Sequence, residues 1–91
     1  MDTRARVAEL LAEILEHVTG GLEAEPDLPL GSLELGFEGL IACTGRAFGL
    51  PEGWVGNGEA VNDTFDVMVD HVAAYWDGAT VNEDWPDLSE L

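Results

Sequence analysis

Three stretches of this chain carry apolar residues at helical spacing, and this periodicity constrains its fold more than any other feature. The first stretch is the clearest, because its apolar residues form one stripe along a helix: Val7, Leu10, Leu11, Ile14, Leu15 and Val18. Asp2 or Thr3 is suited to cap the start of this helix. Gly20 and Gly21 are suited to end it.

The second stretch predicts a helix from Leu33 or Glu34 to Phe48, followed by helix-ending Gly49 and Pro51. Three glycines lie inside it, and each costs up to ~1 kcal/mol relative to alanine. We therefore expect this helix to depend on tertiary packing or on the close approach of another backbone. The three glycines are Gly36, Gly39 and Gly45. The apolar positions of this helix are Leu33, Phe37, Leu40, Ile41, Cys43, Ala47 and Phe48.

The third stretch predicts a helix that begins at Asn62, Asp63 or Thr64 and ends at Gly78. A short helix or single turn is expected before it, around Glu59 to Val61. Residues 21–33 read as a long loop, broken by two prolines and a glycine and pinned to the core by leucines. The third helix's apolar residues are Phe65, Met68, Val69, Val72 and Trp76, and the pinning leucines are Leu22, Leu28 and Leu30.

These elements predict an all-α fold, a bundle of three main helices plus a short helix, with a long first loop. A length of 91 residues allows one core. We expect the bundle to span residues 1–78 and residues 79–91 to form an acidic tail. That tail is either disordered or docks on a partner through Trp85, Leu88 and Leu91, which lie three residues apart.

The charge balance limits the classes of partner. The chain has 19 acidic and three basic residues, no lysine, and a formal net charge of −16. Nucleic acids and anionic membranes are poor partners, because both bind through clustered lysine and arginine. A basic patch on another protein is the expected counterpart. The sequence has no apolar run of signal-peptide or membrane-spanning type, so we expect a cytoplasmic protein.

A Leu-Gly-x-x-x-Leu run at Leu30 opens the second predicted helix, and Phe48-Gly49 and Pro51 close it. Together with the long preceding loop, this pattern resembles acyl and peptidyl carrier proteins over roughly residues 5–77. The resemblance implies an acidic bundle of three long helices and a short one. It also implies a 4′-phosphopantetheine arm on a serine at the start of the second helix, in the run Leu-Gly-x-Asp-Ser-Leu.

Two alignments with that run are open. The favoured one needs no gap between Leu30 and Leu50, and places Leu33 at the family's aspartate and Glu34 at its modified serine. It implies a carrier-like domain without an arm, because a carboxylate does not form the stable phosphodiester that a serine forms. The other alignment makes Ser32 the attachment site of 4′-phosphopantetheine. It also places Gly36, Glu38 and Arg46 at core positions, where an unpaired buried charge is costly.

The resemblance therefore implies a non-catalytic protein that binds and scaffolds or regulates an enzyme of polyketide, fatty-acid or nonribosomal peptide biosynthesis. The alternative is a working carrier modified on Ser32. In the family the second helix is usually the acidic face that partner enzymes recognise. Here it would present Glu34, Leu35, Phe37, Glu38 and Ile41 to a basic docking patch.

Other chemistry is weakly indicated. Cys43 fits a small core side chain better than a nucleophile, and the two histidines, His17 and His71, fall on other helices. No metal-ligand spacing is present, so no metal and no enzymatic activity are predicted. Trp54 is expected to close one end of the core. Four acidic residues at helical spacing form a ridge: Glu59, Asp63, Asp66 and Asp70. We expect this ridge either to be a solvated helix face or to face a basic partner.

Overall fold

The computed structural model describes residues 2–33, 35–56, 63–83 and 85, with the side chains of residues 32, 33, 35 and 36 outside the description. In this part of the chain three α-helices form, α1 (Thr3–Thr19), α2 (Leu35–Phe48) and α3 (Phe65–Tyr75). A 3₁₀ turn (Leu30–Leu33) precedes α2. The predicted all-α class is confirmed. The short helix expected around Glu59 to Val61 lies outside the described residues.

Helix α1 is the element on which α2 and α3 both pack. The predicted stripe faces the core, and four of its six members, Val7, Leu11, Ile14 and Leu15, are fully buried. The side chain of Asp2 accepts a hydrogen bond from the Arg4 N–H and caps the start of the helix. Gly20 ends it in the left-handed conformation, at φ 78°.

Gly45, inside α2, gives room to the large side chain of Trp54, whereas Gly39 has only an ordinary contact with another element. A methyl group on Gly45 would lie 3.0 Å from the indole nitrogen of Trp54, and one on Gly39 would lie 3.6 Å from Val18. Trp54 is 6% exposed and closes the core at this point, as predicted. The helix is therefore held by tertiary packing, and the close approach at Gly45 is made by a side chain and not by another backbone.

The long α1–α2 loop is joined to the start of α3 by backbone hydrogen bonds. Pro29 and Thr64 form an isolated antiparallel bridge, and the N–H of Leu30 donates to the carbonyl of Asp63 at 2.8 Å. The first N–H groups of α3 donate to loop carbonyls, Phe65 to Leu28 at 2.9 Å and Asp66 to Pro26 at 3.0 Å. The loop thereby satisfies donors that a helix N-terminus leaves unpaired.

Three details differ from the sequence-based expectation. Leu22 does not pin the loop, since it is 39% exposed, whereas Leu30 is fully buried and Leu28 is half-buried against the core. Helix α2 begins at Leu35, because the preceding residues adopt the tighter 3₁₀ turn. Helix α3 ends at Tyr75, since Trp76 is in an extended conformation at ψ 140°.

The core contains one buried hydroxyl group without a hydrogen-bond partner among the described residues, that of Thr44 in α2. An unsatisfied buried hydroxyl destabilises a fold, because it loses its hydrogen bonds to water and gains none. Valine has nearly the same shape and lacks the hydroxyl. We predict that Thr44→Val raises the free energy of unfolding by about 1 kcal/mol, measured by urea denaturation.

Thr19→Val is the matched control for this substitution. The Thr19 hydroxyl donates to the Leu15 carbonyl at 2.7 Å and accepts from the Leu22 N–H at 3.1 Å. The same change should therefore lower the stability at position 19, by about 1 kcal/mol. A Thr44→Val protein less stable than the parent would show that the hydroxyl is satisfied in solution.

Candidate functional site

The residues that the carrier resemblance singles out lie at the junction of the 3₁₀ turn and α2. Ser32 is in the turn and Leu35 is the first residue of α2, so Ser32 lies shortly before the start of the second helix. Glu34 itself lies outside the described residues, and so do the side chains of Ser32 and Leu35. The choice between Ser32 and Glu34 stays a prediction.

The rest of the predicted recognition face on α2 is partly accessible. Glu38 is exposed, and Phe37 and Ile41 are half-buried with one side packed against the core. Arg46, near the other end of α2, is exposed. The described part of this face therefore presents one carboxylate between two apolar side chains.

The candidate nucleophile and histidines are separated in the fold. Cys43 is 1% exposed and lies in the core. His17 is on α1, where its ring contacts the edge of Trp85 with centroids 5.2 Å apart. His71 is on α3, where its Nε2 is hydrogen-bonded to the carbonyl of Trp54. Among the described residues, no group of three or more His, Cys, Asp or Glu side chains is placed to hold a metal ion.

Two of the three arginines are engaged inside the chain. Arg4, in the first turn of α1, forms ion pairs with Asp66 and Asp70 of α3. The hydrogen bonds that the Arg4 guanidinium donates to Asp66 and then to Asp70 raise its pKa. The acidic ridge expected on α3 is therefore partly neutralised from within, while its member Asp63 is exposed and Glu59 lies outside the described residues.

Arg6 lies against the aromatic ring of Trp76. Its guanidinium carbon is 5.2 Å from the ring centroid, and its Nη1 donates to the carbonyl of Gly78 at 3.1 Å. This arrangement combines a cation–π contact with a hydrogen bond to the backbone after α3. Arg46 is exposed and no ion pair with it is seen among the described residues, so most exposed charge on the described surface is negative.

The chain after α3 folds back onto the bundle as a strap, which we define as residues 76–83 and 85. The Asp77 carboxylate accepts from the N–H groups of Ala79 and Thr80 at 2.8 and 2.7 Å, and from the Thr80 hydroxyl. The Trp76 indole donates to the Thr80 carbonyl at 2.6 Å, and the Asn82 N–H donates to the Ala47 carbonyl at 2.8 Å. The strap thus supplies a donor to the last turn of α2.

Trp85 anchors the end of the described strap. It is 8% exposed and belongs to the same core cluster as the buried residues of the three helices. The expectation that Trp85 is either disordered or held out for a partner is therefore wrong for this residue. Leu88 and Leu91 lie outside the described residues, and the division of the chain after residue 78 stays a prediction.

The strap and α1 enclose a groove of about 500 Å³. We call it the Trp85 groove. A second hollow of about 440 Å³ lies on the other side of Trp85 and is bordered by Glu13, Glu16, His17, Gly20 and Gly21. The Trp85 groove is lined by Arg6, Glu9, Leu10, Glu13, Phe48, Trp76, Val81, Glu83 and Trp85.

Sequence reasoning missed this groove, because three of its nine lining residues, Val81, Glu83 and Trp85, were assigned to the tail. Two signals were present. Asp77 and Gly78 form a turn signature directly after the third helix, and Trp85 is a large aromatic residue in an otherwise acidic segment. Neither signal says on which face of the bundle the returning chain lies.

Comparisons of this chain with protein-family models, with curated proteins and with solved structures find no match. No helix in the described part of the chain combines the length and apolar character needed to cross a membrane.

The turn at Asp77 gives a prediction of pH dependence. The hydrogen bonds from the Thr80 hydroxyl and then from the N–H groups of Thr80 and Ala79 lower the pKa of Asp77 to about 2, from 3.8. A lowered carboxyl pKa stabilises the fold above the unfolded value, and that contribution is lost as the pH falls through the folded value. The contribution of Asp77 should therefore be constant above about pH 4 and vanish near pH 2.

We predict that Asp77→Asn lowers the urea midpoint at pH 7, and that the difference from the parent disappears between about pH 4 and pH 2. The exchange rate of the Trp76 indole N–H, which donates to Thr80, should rise in the same variant. Asp27→Asn is the matched control, since Asp27 is exposed and the charge change is identical. A difference that persists unchanged down to pH 2 would show that the carboxylate charge is not involved.

Proposed function

We propose that this chain is a non-catalytic, carrier-like interaction domain. It binds a basic patch on an enzyme of polyketide, fatty-acid or nonribosomal peptide biosynthesis. By binding, it scaffolds or regulates that enzyme. The observation that carries the proposal is the one-sided charge of the surface. The described acidic side chains are exposed, apart from half-buried Asp66, and two of the three arginines are engaged within the chain.

Electrostatics supports a basic protein as the partner. A net charge of −16 on 91 residues produces a negative potential that attracts basic surfaces over distance and raises the rate of encounter. Because exposed charges are screened by salt, such binding should weaken as the ionic strength rises. An apolar contact must then hold the complex, and Phe37 and Ile41 offer one beside Glu38 on α2.

The exposure of α2 supports the alignment in which Glu34 takes the place of the modified serine. The second alignment puts Glu38 and Arg46 at positions that face the core in carrier proteins, and both of these side chains are exposed. With Glu34 at the attachment position the domain has no arm, and its negative charge would partly imitate the phosphate of a modified serine. Partner binding would then be its function.

The second candidate function is that of a working carrier with 4′-phosphopantetheine on Ser32. One observation favours it: Ser32 lies in the 3₁₀ turn immediately before α2, next to where carrier proteins hold their serine. A hydroxyl group is also the nucleophile that the transfer reaction needs. The two candidate functions differ in whether a covalent arm is attached.

We predict no gain in intact mass when the protein is incubated with coenzyme A and a promiscuous phosphopantetheinyl transferase. A known carrier protein in the same tube is the positive control, and Ser32→Ala is the matched variant. A gain of one phosphopantetheine that disappears in Ser32→Ala would establish the working carrier and refute the arm-less one.

We further predict that the protein binds a synthase component encoded beside its own gene, and that affinity falls as salt is raised. Glu38→Lys reverses a charge on the predicted α2 face and should weaken this binding by about tenfold. Glu52→Lys is the matched control, because Glu52 is also exposed but lies outside α2, and it should change affinity by less than about twofold. Glu34→Gln tests the phosphate imitation separately.

Absence of binding to every such component would refute the proposed function. Equal effects of Glu38→Lys and Glu52→Lys would show that the enzyme senses total charge, and would remove α2 as the recognition face. Unchanged binding by Glu34→Gln would remove only the idea that its carboxylate imitates a phosphate.

A further inference from the structure

The Trp85 groove has no role in the function proposed above, which places the contact with the enzyme on α2. The groove lies instead between α1 and the strap, and three structural elements contribute to it. Its volume of about 500 Å³ is within the range of about 300–1,000 Å³ that is typical of binding pockets.

The floor of the groove is apolar and firmly held. Phe48 and Trp76 pack edge to face with ring centroids 5.3 Å apart, and both belong to the core. Trp85 closes one side, where the His17 ring contacts it. Val81 is 41% exposed, so an apolar side chain of the strap faces water beside this floor. An apolar group of a partner would cover that surface.

The rim of the groove is acidic on both sides. Glu9 and Glu13 are exposed on α1, and Glu83 is exposed on the strap. Glu9 and Glu13 are four residues apart, a rise of about 6 Å along the helix. Two basic side chains four residues apart on a second helix have the same spacing and would face them. Arg6 is the basic residue of the lining, and its guanidinium is held on Trp76 and Gly78.

The negative charge of the groove's rim favours one class of binding partner. A second copy of this chain brings another net charge of −16 to an acidic rim, and so would be repelled. Residues 86–91 of the chain itself contain Asp87 and Glu90 and no basic residue, so they do not complement the rim either. A partner segment with an apolar anchor and flanking lysine or arginine matches both the floor and the rim.

We propose that the Trp85 groove is a second docking site, which takes an amphipathic basic helix of a partner protein. The apolar anchor of that helix covers Val81, which is 41% exposed, and the small exposed parts of Trp76 and Trp85. Its basic residues face Glu9, Glu13 and Glu83. The inference rests on the proposed function for its basic partner, but it locates the contact on α1 and the strap.

The test uses the full chain labelled with ¹⁵N and a synthetic Leu-Lys amphipathic helical peptide of about 18 residues, or five turns. We expect saturable chemical-shift changes confined to residues 6–17 of α1 and to the strap, including the indole N–H groups of Trp76 and Trp85. A peptide of the same composition in scrambled order should give no saturable change, because it presents no continuous apolar face.

Matched variants separate the rim from total charge. Glu9→Gln with Glu13→Gln removes two carboxylates of the rim and should weaken peptide binding by about fivefold. Glu23→Gln with Glu25→Gln removes the same charge from the exposed α1–α2 loop and should weaken it by less than about twofold. Val81→Ser leaves the charge unchanged and should also weaken binding, because it makes the exposed part of the groove polar.

Three results would overturn the inference. Shifts centred on Phe37, Glu38 and Ile41 would place the contact on α2 and leave the proposed function intact. Equal binding of the ordered and scrambled peptides would reduce the interaction to unspecific attraction between charges. No binding of either peptide would reject the groove, while the proposed function would still be decided by the synthase experiment. Conversely, peptide binding in the groove without any synthase binding would retain the groove and reject the proposed function.

Discussion

The buried stripe of α1 is the constraint on which the rest of the structure depends. Val7, Leu11, Ile14 and Leu15 have no exposed surface, and both other helices pack on the helix that carries them. Burial of such a side chain contributes about 1.5–3 kcal/mol, and the conformational entropy of a small domain consumes most of that gain. The buried apolar residues of the described part of the chain form one core cluster, so nothing there could replace the contacts of α1.

Two segments outside the three α-helices, the α1–α2 loop and the strap, also hold the bundle together, and both do so through backbone hydrogen bonds. The α1–α2 loop offers the carbonyls of Pro26 and Leu28 to the first N–H groups of α3. The strap offers the N–H of Asn82 to the Ala47 carbonyl in the last turn of α2. Each segment therefore pairs groups that a helix end leaves open. These hydrogen bonds hold the loop and the strap on the bundle. The position of the strap therefore determines the shape of the Trp85 groove.

The sequence predicted those features of the fold that depend on residues close together in the chain. The stripe of α1, the caps at Asp2 and Thr64 and the left-handed end at Gly20 follow from neighbouring residues, and all are present. Contacts between distant residues did not follow. Asp70 looked solvated because Arg4 is 66 positions away in sequence, and Trp85 looked available because nothing near it indicates His17. The Trp85 groove is built from such contacts, whereas the candidate residues Ser32 and Glu34 were found from a local motif.

The distribution of the arginines separates two roles for charge in this protein. Arg4 and Arg6 join the start of α1 to α3 and to the strap, so the basic residues serve the fold. The exposed carboxylates then have few partners within the described chain and are available to another protein. Long-range attraction of this kind raises the rate of encounter but discriminates poorly between basic surfaces.

Discrimination between basic partners must come from apolar contacts of defined shape, and these occur where a carboxylate borders an apolar surface. Glu38 between Phe37 and Ile41 is one such place, and the rim of Glu9 and Glu13 above Phe48 and Trp76 is the other. Both places rest on the core that α1 holds together, since Phe48 and Trp76 belong to it and Phe37 and Ile41 pack against it. Side chains that are already packed lose less conformational entropy on binding, which favours both proposed contacts.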